Sequence, residues 1–116
     1  MEKIYVVYEG SIDLGDPDWG GGCDKMVAIY PMEDIARHHL ELWVSKMLPI
    51  IDSWNDAVSE KLKRRVEKGL DEEYHFDPWI PKPNNEDERE RAFVRDDEEV
   101  YCYYREYDVL QEVRLE

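Results

Sequence analysis

The residues of this chain that could bind an ion lie in its glycine-rich stretch, residues 10–24. Positions 1, 3, 6 and 9 of a calcium-binding loop pattern are filled here by Asp16, Asp18, Gly21 and Asp24. The match ends there, because position 5 is Gly20 and position 12 is Val27 in place of a bidentate glutamate. No Lys or Ser/Thr follows the glycines as it would in a phosphate-binding P-loop. The stretch therefore predicts no metal ion and no cofactor.

Cysteine and histidine form no catalytic or metal-binding motif, since CxxC, HExxH and GxSxG are all absent. His38 and His39 are adjacent, whereas two helical metal ligands need a spacing of three or four residues. His39 falls on the apolar arc of a predicted helix, and we interpret it as a satisfied, partly buried side chain. A pairing of Cys23 with His39 or His75 has no support in the pattern. We therefore predict no catalytic residue and a protein that is not an enzyme.

Charge is the clearest functional signal in the chain. The formal net charge is -14, yet residues 31–70 hold seven acidic and seven basic side chains, so the other 76 residues carry all of it. Such a charge repels nucleic acid and anionic lipid and favours basic protein surfaces as partners. It also serves solubility, and an acidic domain with no dedicated site is an alternative reading.

The acidic residues are densest from residue 86 onward, where twelve acidic side chains face five basic ones. The predicted partner-binding surface consists of Glu86, Asp87, Glu88, Glu90, Asp96, Asp97, Glu98 and Glu99. A second acidic patch consists of Asp13, Asp16 and Asp18. Tyr101, Tyr103 and Trp19 are the predicted anchors, because large aromatic side chains are enriched at the centres of interfaces.

The pattern of apolar residues predicts an α+β fold in a single domain, residues 1–116. Strands are expected at residues 3–9 and 25–30, and a C-terminal hairpin at residues 92–96 and 99–107 with its turn near Asp97. A long amphipathic segment begins at Glu33, and Pro49 lies inside it. Because a compact domain of this length has a radius of gyration of about 13 Å, we expect two helices bent at Pro49. The prediction is thus an antiparallel sheet of about four strands, an N-terminal and a C-terminal hairpin, packed against two helices.

Three details of this fold follow from local pattern. The first strand is apolar on both faces, which predicts a central position in the sheet. In the last strand, the alternation predicts that Val100, Cys102 and Tyr104 point inward, so that Cys102 is a buried and unreactive thiol. Gly69 is expected to end the helical segment as a C′ cap.

The segments IYVVYEG and MVAIYPMEDIARHHLELW resemble the start of many short βαβ proteins encoded by phages and mobile elements, over about the first 48 residues. With its acidic, aromatic C-terminal third, the chain is similar in character to small phage anti-defence proteins. These include anti-restriction and anti-CRISPR inhibitors, several of which mimic DNA. The resemblance implies a non-enzymatic inhibitor whose carboxylates occupy a basic nucleic-acid-binding surface of a host defence nuclease complex, without binding nucleic acid directly.

An alternative function is a small-molecule or peptide-binding module that uses residues 10–24 together with Trp19 and the aromatic segment around Trp79. The sequence shows no apolar run of membrane-spanning length and no signal-peptide pattern, and two cysteines are too few for a disulfide framework. We therefore expect a cytoplasmic protein with reduced thiols and no membrane partner. A strand left at the edge of the sheet would permit a homodimer as well as a monomer.

Overall fold

A computed structural model describes residues 2–13, 23–69, 77–83, 85–96 and 98–109 of the chain. In these ranges the chain forms β1 (Lys3–Asp13), β2 (Cys23–Tyr30), α1 (Glu33–Glu67), β3 (Ile80–Pro81), β4 (Glu90–Arg95) and β5 (Glu98–Asp108). The fold is α+β, as predicted.

The strands form one antiparallel sheet in the order β2-β1-β5-β4-β3. β1 pairs with β2 on one side and with β5 on the other, and Val6 and Val7 are both buried although they point to opposite faces. The prediction that the first strand is internal is therefore confirmed. The C-terminal hairpin is also present, with Asp96 in its turn at a φ of 44°.

The predicted number of elements was wrong, because the sheet has five strands and the described residues contain one long helix in place of two. The additional strand, β3, is only two residues long and pairs with Phe93 and Val94 at the edge of the sheet. So short a strand shows no alternation in sequence. Its Pro81 also lacks the N–H that an internal strand needs, which confines it to an edge.

α1 continues through Pro49 without a break. The missing N–H of Pro49 removes the helical donor to the carbonyl of Ser45, but the turns on either side keep theirs. Our expectation of two helices assumed a compact shape, and that assumption fails. The radius of gyration is 19.2 Å and the longest dimension is 74 Å. A helix of 35 residues is about 52 Å long, so it extends well past the sheet.

The two ends of α1 are marked by charge and by one glycine. Glu33 and Asp34 lie in the first turn, and Arg64 and Arg65 lie in the last, where they complement the helix dipole. Gly69 has a φ of 72° and donates its N–H to the carbonyl of Val66 at 3.0 Å, which confirms the predicted cap.

The core lies between the first half of α1 and one face of the sheet. On the helix, the buried side chains are Ala36, Leu40, Trp43 and Ile51. On the sheet, they are Val7, Phe93, Cys102 and Tyr104, and the half-buried Val100 packs beside them. The predicted inward face of the last strand is therefore confirmed. Within α1, no residue after Ile51 is buried, although Trp54 and Asn55 still contact the buried Trp79.

A bilayer-spanning helix is not found in the described ranges, because α1 lacks a sufficiently long apolar stretch.

Candidate functional site

The predicted acidic surface is divided between the two ends of β4. Glu86, Asp87 and Glu88 are exposed in the loop before β4, whereas Asp96 and Glu98 flank the turn after it. β4 has six residues, and its five steps along an extended strand separate the two groups by about 17 Å. The structure thus does not bring the predicted carboxylates into one cluster.

The turn end of the sheet also receives the end of β1, because Asp13 pairs in register with Glu98. The side chain of Asp13 is not among those described. Four other predicted partner-binding residues, Asp16, Asp18, Trp19 and Asp97, lie outside the described residues altogether.

The loop end is held by its own hydrogen bonds. The N–H of Arg89 donates to the Asp87 carboxylate at 2.9 Å, and the Arg91 guanidinium donates to the backbone carbonyls of Asp87, Glu88 and Glu90. Arg91 also reaches Glu41 of α1 at 2.9 Å. These contacts fix the backbone of the loop while the carboxylates of Glu86 and Glu88 remain exposed.

Two of the predicted acidic residues are engaged inside the molecule. The ammonium group of Lys82 lies 2.9 Å from Glu99 and 3.5 Å from Glu90, and all three side chains are partly buried. The close contact with the Glu99 carboxylate is the main cause that raises the pKa of Lys82. Glu90 and Glu99 therefore stabilise the β3–β4–β5 edge, and are less available to a partner than the exposed carboxylates.

The predicted anchors Tyr101 and Tyr103 lie on the sheet face that α1 does not cover. Both hydroxyls donate to the carboxylate of Asp24 on β2, at 2.5 Å in the case of Tyr103. Tyr8 stacks on Tyr103 with ring centroids 5.1 Å apart, and the guanidinium of Arg105 lies 5.3 Å from the centre of the Tyr103 ring. The rings of Tyr8, Tyr101 and Tyr103 thus form a connected layer along the sheet, called here the tyrosine layer. Tyr101 itself is buried.

Gly10 makes this layer possible. It lies opposite Tyr101 in the β1–β5 register, and the Tyr101 ring crosses it to reach Asp24. A Cβ atom at position 10 would lie 2.6 Å from the Tyr101 hydroxyl oxygen and 2.9 Å from the Asp24 carboxylate. Only a residue without a side chain allows so close an approach.

The electrostatics of the layer follow from these contacts. Hydrogen bonds from Tyr101 and Tyr103 lower the pKa of Asp24. Burial, and then the hydrogen bond to Asp24, raises the pKa of Tyr103 to about 12. The same two causes raise the pKa of Tyr101. At neutral pH the layer is therefore an ionised carboxylate held by two neutral phenols.

A cleft of about 570 Å³ opens beside this layer. Acidic, basic and tyrosine side chains line it, and they include Asp24, Lys82, Glu99, Tyr101 and Arg105. Small-molecule sites are more often apolar cavities with a few polar groups. Much of the loop on which the small-molecule alternative depends, residues 14–22, lies outside the described residues, so that alternative stays a prediction.

A second cluster, which the sequence did not predict as a site, lies between α1 and the sheet. The Tyr30 hydroxyl is hydrogen-bonded to Nδ1 of His39 at 2.8 Å, and Nε2 of His39 lies 4.0 Å from the Glu9 carboxylate. The thiol of Cys102 completes the group, with the ligand atoms of Glu9, His39 and Cys102 all within 4.8 Å of one another. Burial, and then the charge of Glu9, raises the pKa of Cys102 to about 12, so the thiol is protonated at neutral pH.

Two sequence signals could have located this cluster if they had been combined. His39 was placed on the apolar arc of the helix, and Cys102 on the inward face of the last strand. Both positions point into the same helix–sheet interface. Glu9 is two residues after the buried Val7 and shares its face.

Comparisons of the chain with protein-family models, with curated proteins and with solved structures give no significant match.

Proposed function

We propose that this protein is a non-enzymatic acidic binding protein that inhibits a nucleic-acid-processing host defence complex, of the anti-restriction or anti-CRISPR type. Its carboxylates would cover a basic nucleic-acid-binding surface on that complex. The observation that carries the proposal is the separation of charge in the molecule. Residues 31–70 are balanced in charge, whereas the described residues outside that range, which form the sheet and its loops, hold fourteen acidic and seven basic side chains.

Internal ion pairs strengthen this argument. Four basic residues of the sheet and its loops pair with carboxylates of the same chain, namely Lys3, Lys82, Arg89 and Arg91. The exposed carboxylates of Glu86, Glu88 and Asp96 contribute negative charge at the two ends of β4. A basic partner surface would supply the missing countercharge.

The two acidic groups lie about 17 Å apart across β4. Duplex DNA carries a phosphate about every 3.4 Å along each strand, so a basic surface that binds it extends over a distance of this order. A rigid strand holds the two groups at this separation without the entropy cost that a flexible acidic tail would carry.

The test is capture of a partner from host lysate at low salt, followed by competition with duplex DNA. A nucleic-acid-processing protein that is captured, then released by DNA and by rising salt, is the expected result. Association driven by charge weakens with ionic strength. Capture that DNA does not displace, or capture of no nucleic-acid-processing protein, would contradict the proposal.

Paired charge-neutralising variants locate the surface. Glu86→Gln/Glu88→Gln removes two charges at the loop end, and Asp96→Asn/Glu98→Gln removes two at the turn end. Asn is chosen at position 96 because it tolerates positive φ. The matched control is Asp52→Asn/Asp56→Asn on the exposed side of α1. We expect weaker capture and a shallower salt dependence for both test variants. Equal losses in all three variants would show that only net charge matters.

A further inference from the structure

Three potential metal ligands from three different elements meet beneath α1. Glu9 of β1 and Cys102 of β5 are directly opposite each other in the antiparallel register. Both point to the sheet face that α1 covers, and His39 of α1 lies above them. Their ligand atoms, one oxygen, one nitrogen and one sulfur, lie within 4.8 Å of one another.

The orientation of His39 is that of a metal ligand. Nδ1 is hydrogen-bonded to the Tyr30 hydroxyl at 2.8 Å, and Nε2 faces the Glu9 carboxylate at 4.0 Å. Metal-bound histidines commonly use one ring nitrogen for the metal and donate the other N–H to a neighbouring oxygen, which fixes the ring. Here Tyr30 is that neighbour, and in the tautomer in which Nδ1–H donates to its hydroxyl, the Nε2 lone pair is free on the side of the Glu9 carboxylate.

We propose that Glu9, His39 and Cys102 bind one Zn²⁺ ion. Zinc accepts thiolate, imidazole and carboxylate ligands together, whereas Ca²⁺ and Mg²⁺ prefer oxygen alone. Three protein ligands leave the fourth tetrahedral position for water, on the side where Glu9 and His39 are partly exposed. On binding, Cys102 gives up its thiol proton to solvent, and the thiolate and the carboxylate together balance the two charges of the ion.

The distances require only a small contraction. Zinc–ligand bonds of about 2.0–2.3 Å place tetrahedral ligand atoms about 3.3–3.8 Å apart. The ligand atoms are at most 4.8 Å apart, so side-chain movements of about 1 Å close the site. Glu9 and His39 have side-chain exposures of 40% and 23%, which leaves them room to move while Cys102 stays fixed in the core.

Co²⁺ titration of the full-length protein tests the proposal directly, because tetrahedral cobalt reports a thiolate ligand through a charge-transfer absorption band. Excess Mg²⁺ in the buffer occupies the exposed carboxylates, which bind hard cations. One equivalent of Co²⁺ should produce the band, and Zn²⁺ should abolish it by displacement. Zinc should also raise the melting temperature, since a ligand that binds only the folded state stabilises it.

The chain offers a matched control for two of the ligands. Cys102→Ala and His39→Gln should remove the band, whereas Cys23→Ala and His38→Gln should retain it. Glu9→Gln and Tyr30→Phe should each lower the zinc affinity by about 10-fold or more. Circular dichroism establishes that each variant is folded. If Cys102→Ala does not fold, the half-exposed His39 and Glu9 positions decide the question.

Three results would overturn the proposal. One is the absence of a charge-transfer band in the wild type at one equivalent of Co²⁺. Another is a band that depends on Cys23 and persists in Cys102→Ala. The third is a zinc affinity that is the same in His39→Gln, His38→Gln and the wild type, which would assign the binding to the acidic surface.

Discussion

The two faces of the sheet are both partly buried, but by different means. On one face, α1 covers Val7, Cys102 and Tyr104 with Leu40 and Trp43, so burial comes from a separate element. On the other, the tyrosine layer covers the strands with their own side chains, and Val6, Ala92 and Tyr101 are buried although the helix lies on the opposite side. The first face depends on packing, and the second depends on hydrogen bonds around one carboxylate.

This difference explains how a five-stranded sheet with a helix on one face can bury apolar surface on both faces. A second helix over the open face would have to displace the layer of tyrosine rings, which already removes apolar strand surface from water. The hydroxyls that such a layer would otherwise leave at the surface are directed to Asp24 and to one another, as in the 3.0 Å contact between Tyr8 and Tyr107. The central strands are therefore covered on both faces, whereas Met26 and Ile29 of the edge strand β2 stay exposed.

The largest effect is expected on the helix-covered face. Leu40→Ala removes a fully buried side chain from the core and should lower the free energy of unfolding by about 2–5 kcal/mol. Leu42→Ala is the matched control, because Leu42 lies on the same helix with 48% exposure. Urea denaturation measures both. Similar losses in the two variants would show that α1 does not form the core in the way described.

A smaller effect is expected from a substitution on the sheet face that α1 does not cover. Gly10→Ala places a methyl group 2.6 Å from the Tyr101 hydroxyl oxygen and should destabilise the fold by about 1–3 kcal/mol, as overpacking does. In a Tyr101→Ala background the clash with the ring is absent and only the 2.9 Å approach to the Asp24 carboxylate remains, so the same substitution should cost less. If the losses of stability in this double-mutant cycle are additive, Gly10 and Tyr101 do not interact, and the prediction is wrong.

Titration of the tyrosines sharpens the same comparison. Tyr103 has a pKa raised from 10.0 to about 12 in the folded state. Its stabilising contribution is therefore complete below pH 10.0 and is lost as the pH rises through about 12. For Asp24, whose pKa is lowered, the contribution is present above its ordinary value of 3.8 and is lost as the pH falls through the folded pKa.

Tyrosinate absorbance in the wild type, Tyr103→Phe and Asp24→Asn measures this directly. We expect Asp24→Asn to lower the pKa of Tyr103 without restoring it to 10.0, because burial is the larger cause. Asp34→Asn, at an exposed carboxylate in the first turn of α1, is the control and should leave the titration unchanged. No difference between these two variants would exclude Asp24 as the partner of the phenols.

The smallest effect is expected in the part of α1 that lies past the sheet. Arg64 and Glu60 are 4.0 Å apart with exposures of 73% and 67%, so solvent screens their attraction. Arg64→Ala should change the free energy of unfolding by less than about 0.5 kcal/mol. A loss several times larger in urea denaturation would mean that the last turns of the helix have a packing partner.

The elements that sequence predicted correctly are those with a strong local period or a local backbone requirement. Alternation in EVYCYYREY placed Cys102 and Tyr104 inward, and the left-handed conformation at Gly69 required a glycine. The bend at Pro49 and the omission of β3 were the errors. The first assumed a compact shape that the chain does not have, and the second concerned a two-residue strand too short to show a period.

The candidate sites also depend on contacts that a local sequence pattern does not show. The carboxylates of residues 86–99 are close in sequence, but β4 separates them into a group at each of its two ends. Asp24, Tyr101 and Tyr103 are distant in sequence, and the β2–β1–β5 pairing brings them into contact. The composition predicts an acidic surface, and the structure places its described carboxylates in two separate groups.

By itself, the sequence determined the class of the fold, the central position of the first strand, the inward face of the last strand and the large negative charge. These properties depend on side-chain periodicity and composition, which act over a few residues or over the whole chain. Only the tertiary structure decided that Glu9, His39 and Cys102 meet, and that Gly10 lies beneath Tyr101. Such contacts depend on strand register and helix placement, because a shift of one residue in either would turn these side chains away from one another.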